Sequence, residues 1–256
     1  DVVIANSHFT ADRIRQMHPF AQKNICVIHR GTDLKAFSPR DVEPARIQRL
    51  RKDWNVSPED RIVLLAARLT HWKGQLLLLE AARRLMENGL QDVKFVLAGD
   101  PQGRDNYVKA LRKKIEEAGL QDVVRLPGHC SDMPAAFMAA AVVTVPSIQP
   151  EAFGRAAVEA QAMGAPVVVS NLGAVPETVL APPDVSESQR TGWRVPANDA
   201  QALADGLAHA LALTQSAREA LRQRARSHVE QNFSLSHMCA QTLAVYARLL
   251  GEDGLA

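Results

Sequence analysis

From residue 60 onward, short runs that are apolar nearly throughout alternate with longer amphipathic stretches, which restricts the chain to few architectures. The runs are RIVLLAAR (61–68), VKFVLAGD (93–100), DVVRLPG (122–128), AVVTVPS (141–147) and APVVVSN (165–171), most of them closing at Gly, Pro or a small polar residue. A strand with one wet face alternates polar and apolar side chains. Unbroken Val/Leu/Ile runs therefore point to strands covered on both faces, as in a parallel sheet. GQLLLLEAARRLMENG (74–89) and RDNYVKALRKKIEEAG (104–119) carry helical periodicity and stop at glycine, a favoured C-terminal cap. SDMPAAFMAAA and FGRAAVEAQAMG continue the alternation. Five strand–helix repeats joined by right-handed crossovers predict a doubly wound α/β domain around a parallel sheet. Ligands of such sheets sit outside the carboxyl ends of the strands. The loops that matter are thus 68–74, 99–103, 127–132, 147–154 and 170–177.

The flanks are less regular. The first 24 residues read as one strand, DVVIA, and a helix opening near Thr10 or Asp12. NICVIHRGTDLKAFSP adds a strand and a turn leading into the main domain, and APPDVSESQR (181–190) reads as a polar, mobile insertion. After TGWRV the pattern is helical to the end, near 199–213, 216–231 and 235–250. The opening DVVIANS lacks an initiator methionine and reads as the inside of a strand, so a longer parent protein is expected.

Composition removes several function classes. With 30 Lys and Arg against 28 Asp and Glu, the formal charge of +2 is too near neutral to argue for nucleic acid. The basic runs LRKDW, LRKKIEEAG and REALRQRARSH read as solvated helix faces. Cys26, Cys130 and Cys239 show neither redox nor zinc spacing and read as reduced thiols of a cytosolic protein. No stretch approaches the roughly 18 consecutive apolar residues of a membrane span.

The familiar phosphate motifs are missing: no G-x-G-x-x-G follows a strand, HWKGQ is not a P-loop, and no Asp-x-Asp could bridge a metal to a diphosphate. An anion could instead be held in RLTHWKG, where Arg68 and Lys73 flank a loop at a strand's carboxyl end. There a guanidinium fork and an ammonium could grip adjacent phosphates, although both also read as solvated loop cations. In EAFGRAAVE, Glu151 stands just outside a helix whose free N–H groups near Phe153 and Gly154 face outward. Glu159, two turns in, can reach the same sheet edge and accept from vicinal hydroxyls; the bland reading is a capping acid followed by an exposed one.

Taken in order, HRGTDLKAFSP, RLTHWKG, LAGD, LPG, PSIQPEAFGRAAVEAQAMGAPVV, SNLGAVPETV and TGWRV are more specific. The chain resembles the carboxy-terminal, donor-binding half of the retaining family-four glycosyltransferases, whose fold is two facing Rossmann-like domains. The resemblance spans essentially the whole chain, and the E-x7-E pair is its specific part. It implies that residues 1–24 are the last strand and helix of an amino-terminal acceptor domain and that 25–232 form the Rossmann-like donor domain. Residues 233–256 would be a terminal helix packing back towards the missing domain.

The resemblance also implies roles. Arg68 and Lys73 match the basic pair that holds the donor diphosphate, Glu151 the acid at the transferred sugar, and Glu159 the acid at the ribose. The backbone of Ala152, Phe153 and Gly154 would meet sugar hydroxyls and the distal phosphate, while Pro127, Gly128 and His129 would border the base. Gly31 and Asp33 match the turn from the linker, and the family's acceptor-domain histidine has no counterpart assigned among His8, His29 and His71.

The expected activity is metal-independent, retaining transfer of a sugar from a UDP- or GDP-linked donor to a glycan or lipid-linked hydroxyl in envelope glycan or lipopolysaccharide synthesis. No separate cofactor and no nucleic acid are expected. The setting would be cytoplasmic, with peripheral association at the membrane's inner face open to the full-length protein. This piece alone should not transfer, and it should tend to self-associate. Two alternatives stay open, a sugar-nucleotide epimerase of the same fold and a catalytically silent nucleotide-binding module.

Overall fold

The computed structural model describes residues 1–251, so the last five residues of the terminal segment lie outside the described residues. In chain order come β1 (Val3–Ala5), α1 (His8–Met17), β2 (Ile25–Val27) and α2 (Pro44–Asp53). They are followed by β3 (Arg61–Ala66), α3 (Gln75–Glu87), β4 (Val93–Ala98), α4 (Asp105–Glu117), β5 (Val124–Gly128) and α5 (Met133–Ala139). Next are β6 (Ala140–Val145), α6 (Arg155–Ala162), β7 (Val167–Ser170), the short α7 (Val175–Thr178) and β8 (Trp193–Val195). Three helices close the chain: α8 (Ala200–Leu211), α9 (Gln215–Asn232) and α10 (Leu235–Leu250).

The main sheet is parallel throughout and runs β5-β4-β3-β6-β7-β8, a Rossmann-like α/β arrangement. Side chains alternate between two cores. Val63, Leu65, Phe95 and Leu97 pack with Leu78, Leu79, Leu111, Leu203 and Leu207 on one face. Ile62, Leu64, Val96 and Val143 pack with Phe137, Ala160 and Met163 on the other. Both faces are dry, which is why the strand sequences do not alternate. The pattern of long runs predicted five strands; the sixth, β8, comes from TGWRV, too short a segment to announce a buried strand.

Chain order reverses at β3. The chain passes outward to β4 and β5, then returns to place β6 on β3's other side. The switch point lies between the carboxyl ends of β3 and β6, and there a ligand crevice belongs.

Strands β1 and β2 form a separate parallel pair, Val3 opposite Ile25 and Ala5 opposite Val27, across the boundary that the sequence suggests at residue 24. Helix α1 opens earlier than expected, at His8, with Ser7 as its cap: Ser7 Oγ accepts from the Thr10 amide at 3.0 Å. The remaining free amides of that turn find a tertiary partner. Glu177 carboxylate oxygens accept from His8 N at 2.7 Å and Phe9 N at 2.8 Å. The Ser7 cap is a local signal for this start, whereas the second acceptor, 169 positions from His8, is one that no local pattern could show.

Asp33 Oδ1 accepts from the Lys35 amide at 2.9 Å, turning the chain after β2. The neighbouring Thr32 exchanges backbone bonds with Phe233 and Leu235 at the α9–α10 corner. Insertion 181–190, expected to be mobile, is held by Arg194, whose Nη2 donates to Ala181 O at 2.9 Å and Asp184 Oδ2 at 2.6 Å. Helix α10 leaves Leu243 65% and Tyr246 55% exposed, with Leu249 and Leu250 beside them.

Candidate functional site

A cavity of about 450 Å³ opens at the switch point. Its walls come from the end of β3 (Ala66, Ala67, Arg68), the turn after it (Trp72, Lys73), the end of β6 (Val145) and the stretch from Glu151 to Ala156 with Glu159. Asn6 and Arg30, just beyond the carboxyl ends of β1 and β2, complete it. Two sheets thus point the same kind of edge at one space.

The two switch-point loops are stitched together. Gly74 has φ +77°, and a Cβ there would sit 1.8 Å from Pro146 O, so the first loop presses on the second as only glycine allows. The Ile148 amide donates to Trp72 O at 2.9 Å. Beneath them, buried Gln75 donates to Arg68 O at 2.9 Å and accepts from Tyr107 OH at 3.0 Å. Burial pushes the Tyr107 phenol up to about 12, so it keeps its proton and remains a donor.

Lys73 Nζ lies 4.1 Å from the centroid of the Trp72 ring and 2.6 Å from Glu151 Oε1. The Ser147 hydroxyl donates to the same carboxylate oxygen at 2.5 Å. Glu151 is only 7% exposed, and a lone carboxylate there would be costly; the cation and the hydroxyl make its ionised form tolerable. Its backbone is clamped as well. The Ala174 amide donates to Glu151 O at 2.8 Å, and Gly173, at φ +70°, approaches so closely that a Cβ would fall 2.4 Å from that oxygen.

Helix α6 starts at this point. Its cap position is Gly154, φ +86°, so no side chain takes the first free N–H groups, and the positive end of the helix faces the cavity. One turn in, Glu159 Oε1 accepts from Arg155 Nη2 at 2.9 Å.

The structure therefore brings Arg68, Lys73, Glu151, Ala152, Phe153, Gly154 and Glu159 to one cavity. Pro127, Gly128 and His129 stand apart, at the end of β5, two strands from β3. Pro127 and His129 line a neighbouring cavity with Trp54 and with an Arg46–Asp132 pair at 2.6 Å. The Arg46 hydrogen bond holds the Asp132 carboxyl below the usual range, and Asp132 in turn caps α5. At roughly 4.8 Å per strand, a ligand reaching both cavities would span about 10 Å.

His71 sits in the turn 71–73 and does not line the cavity. His29 Nε2 is 3.0 Å from Glu177 Oε2, and His8 lies near enough for the three side chains to show metal-ligand spacing. The carboxylate there already caps α1. Several lining or supporting residues escaped sequence reasoning. Asn6 lies outside the quoted motifs, and Arg30 stands within HRGTDLKAFSP with no role assigned. Gln75 acts through Arg68 O and Tyr107, Ser147 acts on Glu151 four residues on, and Arg155 hides inside EAFGRAAVE as an ordinary helical residue.

Comparison with known proteins agrees with this geometry. Residues 46–228 match the family described as glycosyl transferases group 1. The D-inositol 3-phosphate glycosyltransferases of Mycobacterium tuberculosis and Mycobacterium bovis are 30% identical over 255 residues, covering 98% of this chain but 49% of theirs. The chain thus spans about half the length of these curated relatives. A glycosyltransferase structure from Rickettsia africae aligns with TM-score 0.90 at 29% identity, over 98% of this chain and 64% of its own. Anabaena HepE in complex with UDP and glucose aligns with TM-score 0.85 at 28% identity, over 96% and 62%. On its sheet order, its switch-point cavity and the match over 46–228, the chain belongs to the glycosyl transferases group 1 family.

Proposed function

We propose that this chain is the donor-binding half of an enzyme that moves a sugar from a nucleoside diphosphate sugar to a hydroxyl acceptor with retention of configuration. One observation carries the reading: Arg68, Lys73, Glu151, Glu159 and the open amino end of α6 share a single cavity at the switch point. Cations and a helix terminus suit a diphosphate, and carboxylates suit hydroxyls. The HepE structures with UDP and UDP-glucose support a uridine diphosphate donor.

In the proposed reaction the anomeric carbon–oxygen bond to the diphosphate breaks and the acceptor oxygen bonds to that carbon on the same face. The acceptor proton passes to the departing phosphate oxygen. Negative charge gathering on the diphosphate is met by Arg68, Lys73 and the N–H groups at Gly154 and Arg155, donors already in place before the bond breaks. Glu151 orients the sugar and Glu159 the ribose. With no Asp-x-Asp motif in the chain, this neutralisation is assigned to side chains and the helix rather than to a metal.

In this reading the acceptor is an envelope glycan or its lipid-linked precursor and the enzyme works in the cytoplasm. Among the described residues no helix is long and apolar enough to cross a membrane. Calorimetry with UDP, GDP and ADP on this chain, and turnover with the full-length protein, test the proposal. This chain should bind one diphosphate at about high-micromolar to millimolar Kd and transfer nothing. Absence of binding by all three, or epimerisation of the donor by the full-length protein without acceptor, would sink it.

A further inference from the structure

We propose that Asn6 reads the transferred sugar, its side-chain amide pairing with two adjacent hydroxyls of a neutral sugar; this rests on the donor reading above. The Oδ1 atom of Asn6 is buried with no hydrogen-bond partner among the described residues, and Asn6 is one of the residues that line the cavity. Folded proteins seldom leave such an atom unpaired, and one that is unpaired calls for an explanation.

The residue is held on both sides. Before it, buried Ala5 accepts from the Ile28 amide at 2.9 Å. After it, buried Ser7 donates to Ala152 O at 2.8 Å. Asn6 is therefore fixed beside the Ala152 backbone, the stretch assigned to sugar hydroxyls, and has little freedom to find a partner elsewhere.

The chemistry of the amide narrows what it can take. Turned either way, it offers one acceptor and one donor group side by side. A diphosphate oxygen only accepts, so it would leave Oδ1 unpaired. A hydroxyl both donates and accepts, and two neighbouring hydroxyls match the amide edge.

Charge narrows it further. The cavity is lined by four cations, Arg30, Arg68, Lys73 and Arg155, and by two carboxylates, Glu151 and Glu159. The excess of two positive charges equals the two negative charges of a sugar-linked diphosphate. No cation is left over for a carboxylate on the sugar.

The test is calorimetry on this chain with UDP, GDP, their neutral sugar conjugates and UDP-glucuronate. With the neutral donor that binds best, Asn6→Ala should weaken the sugar conjugate about tenfold while leaving the plain nucleotide within about twofold. Wild type should prefer the neutral conjugate over UDP-glucuronate by about tenfold or more. Asn6→Leu, close in size but with neither donor nor acceptor, should show the same split and guards against a variant that merely folds poorly. Equal losses on nucleotide and conjugate, no loss on either, or a preference for UDP-glucuronate would overturn the proposal. Wild type binding neither UDP nor GDP would instead overturn the donor reading beneath it.

Discussion

Lys73 Nζ and Glu151 Oε1 meet at 2.6 Å with both side chains largely enclosed, so the cation proposed for the diphosphate and the acid proposed for the sugar hold each other. Under the proposed function a diphosphate draws Lys73 away, and sugar hydroxyls take its place at Glu151. Glu151→Gln removes the competing charge. It should leave plain UDP binding unweakened while cutting affinity for the UDP-sugar about tenfold or more. Lys73→Ala should weaken both ligands about ten- to hundredfold, the equivalent of about 1.5–3 kcal/mol for a charged hydrogen bond. Loss of plain UDP binding in Glu151→Gln would remove the competition between the two roles.

Arg155 and Glu159 form a second pair, but Arg155 is 66% exposed and the pair is an ordinary i,i+4 contact. Such pairs contribute only about 0.3–0.5 kcal/mol, so ribose hydroxyls can displace the guanidinium. Glu159→Gln should weaken UDP and UDP-sugar by the same factor, because the ribose is common to both. A loss confined to the sugar conjugate would move Glu159 to the sugar end.

Gly173→Ala tests the clamp on Glu151. Its Cβ would fall 2.4 Å from Glu151 O at a φ of +70°, whereas Gly103, at φ +76°, has nothing within 4 Å of its Cβ. Both variants strain the backbone by about 1 kcal/mol. Only Gly173→Ala adds a clash, so urea denaturation should show a clearly larger loss for it, together with weaker UDP-sugar binding. Equal losses in the two variants would mean that the loop yields and the clamp is loose.

His228 should make stability depend on pH. Burial lowers its pKa from the usual value near 6.5, and its ring packs edge-on against Phe233 with centroids 5.2 Å apart. The unfolded chain therefore takes up a proton here at a higher pH than the folded one. The stabilisation is complete above about pH 6.5 and is lost as pH falls below it towards the folded value. Thermal melts should show Tm dropping on acidification from about pH 7 to 5, with a shallower drop in His228→Gln. Identical slopes would assign the acid sensitivity to other groups.

The apolar stripe of α10 should drive association. Leu243, Tyr246, Leu249 and Leu250 stand exposed on that helix, and Val3 and Ile4 are exposed on β1. Sedimentation should detect concentration-dependent self-association of this chain, and Leu243→Glu with Leu249→Glu should restore the monomer. A monomeric wild type at high concentration would count against an adhesive face.

The sequence by itself determined the doubly wound sheet, because strands dry on both faces must be apolar at every position and helices must end where glycine permits. It also determined the kinds of groups at the site: Arg68 and Lys73 after one strand, Glu151 and Glu159 around the start of a helix. Tertiary structure alone decided that these groups share a space, since the reversal at β3 sets the end of β6 beside them. It decided too that Lys73 pairs with Glu151 across 78 residues and that Glu177 helps cap α1 from 169 residues away. Asn6 became part of the cavity through Ser7's bond to Ala152, 145 residues distant. Local periodicity reports what one segment must bury; it carries no record of which distant carbonyl or carboxylate will satisfy a free amide. That choice is made when the segments pack.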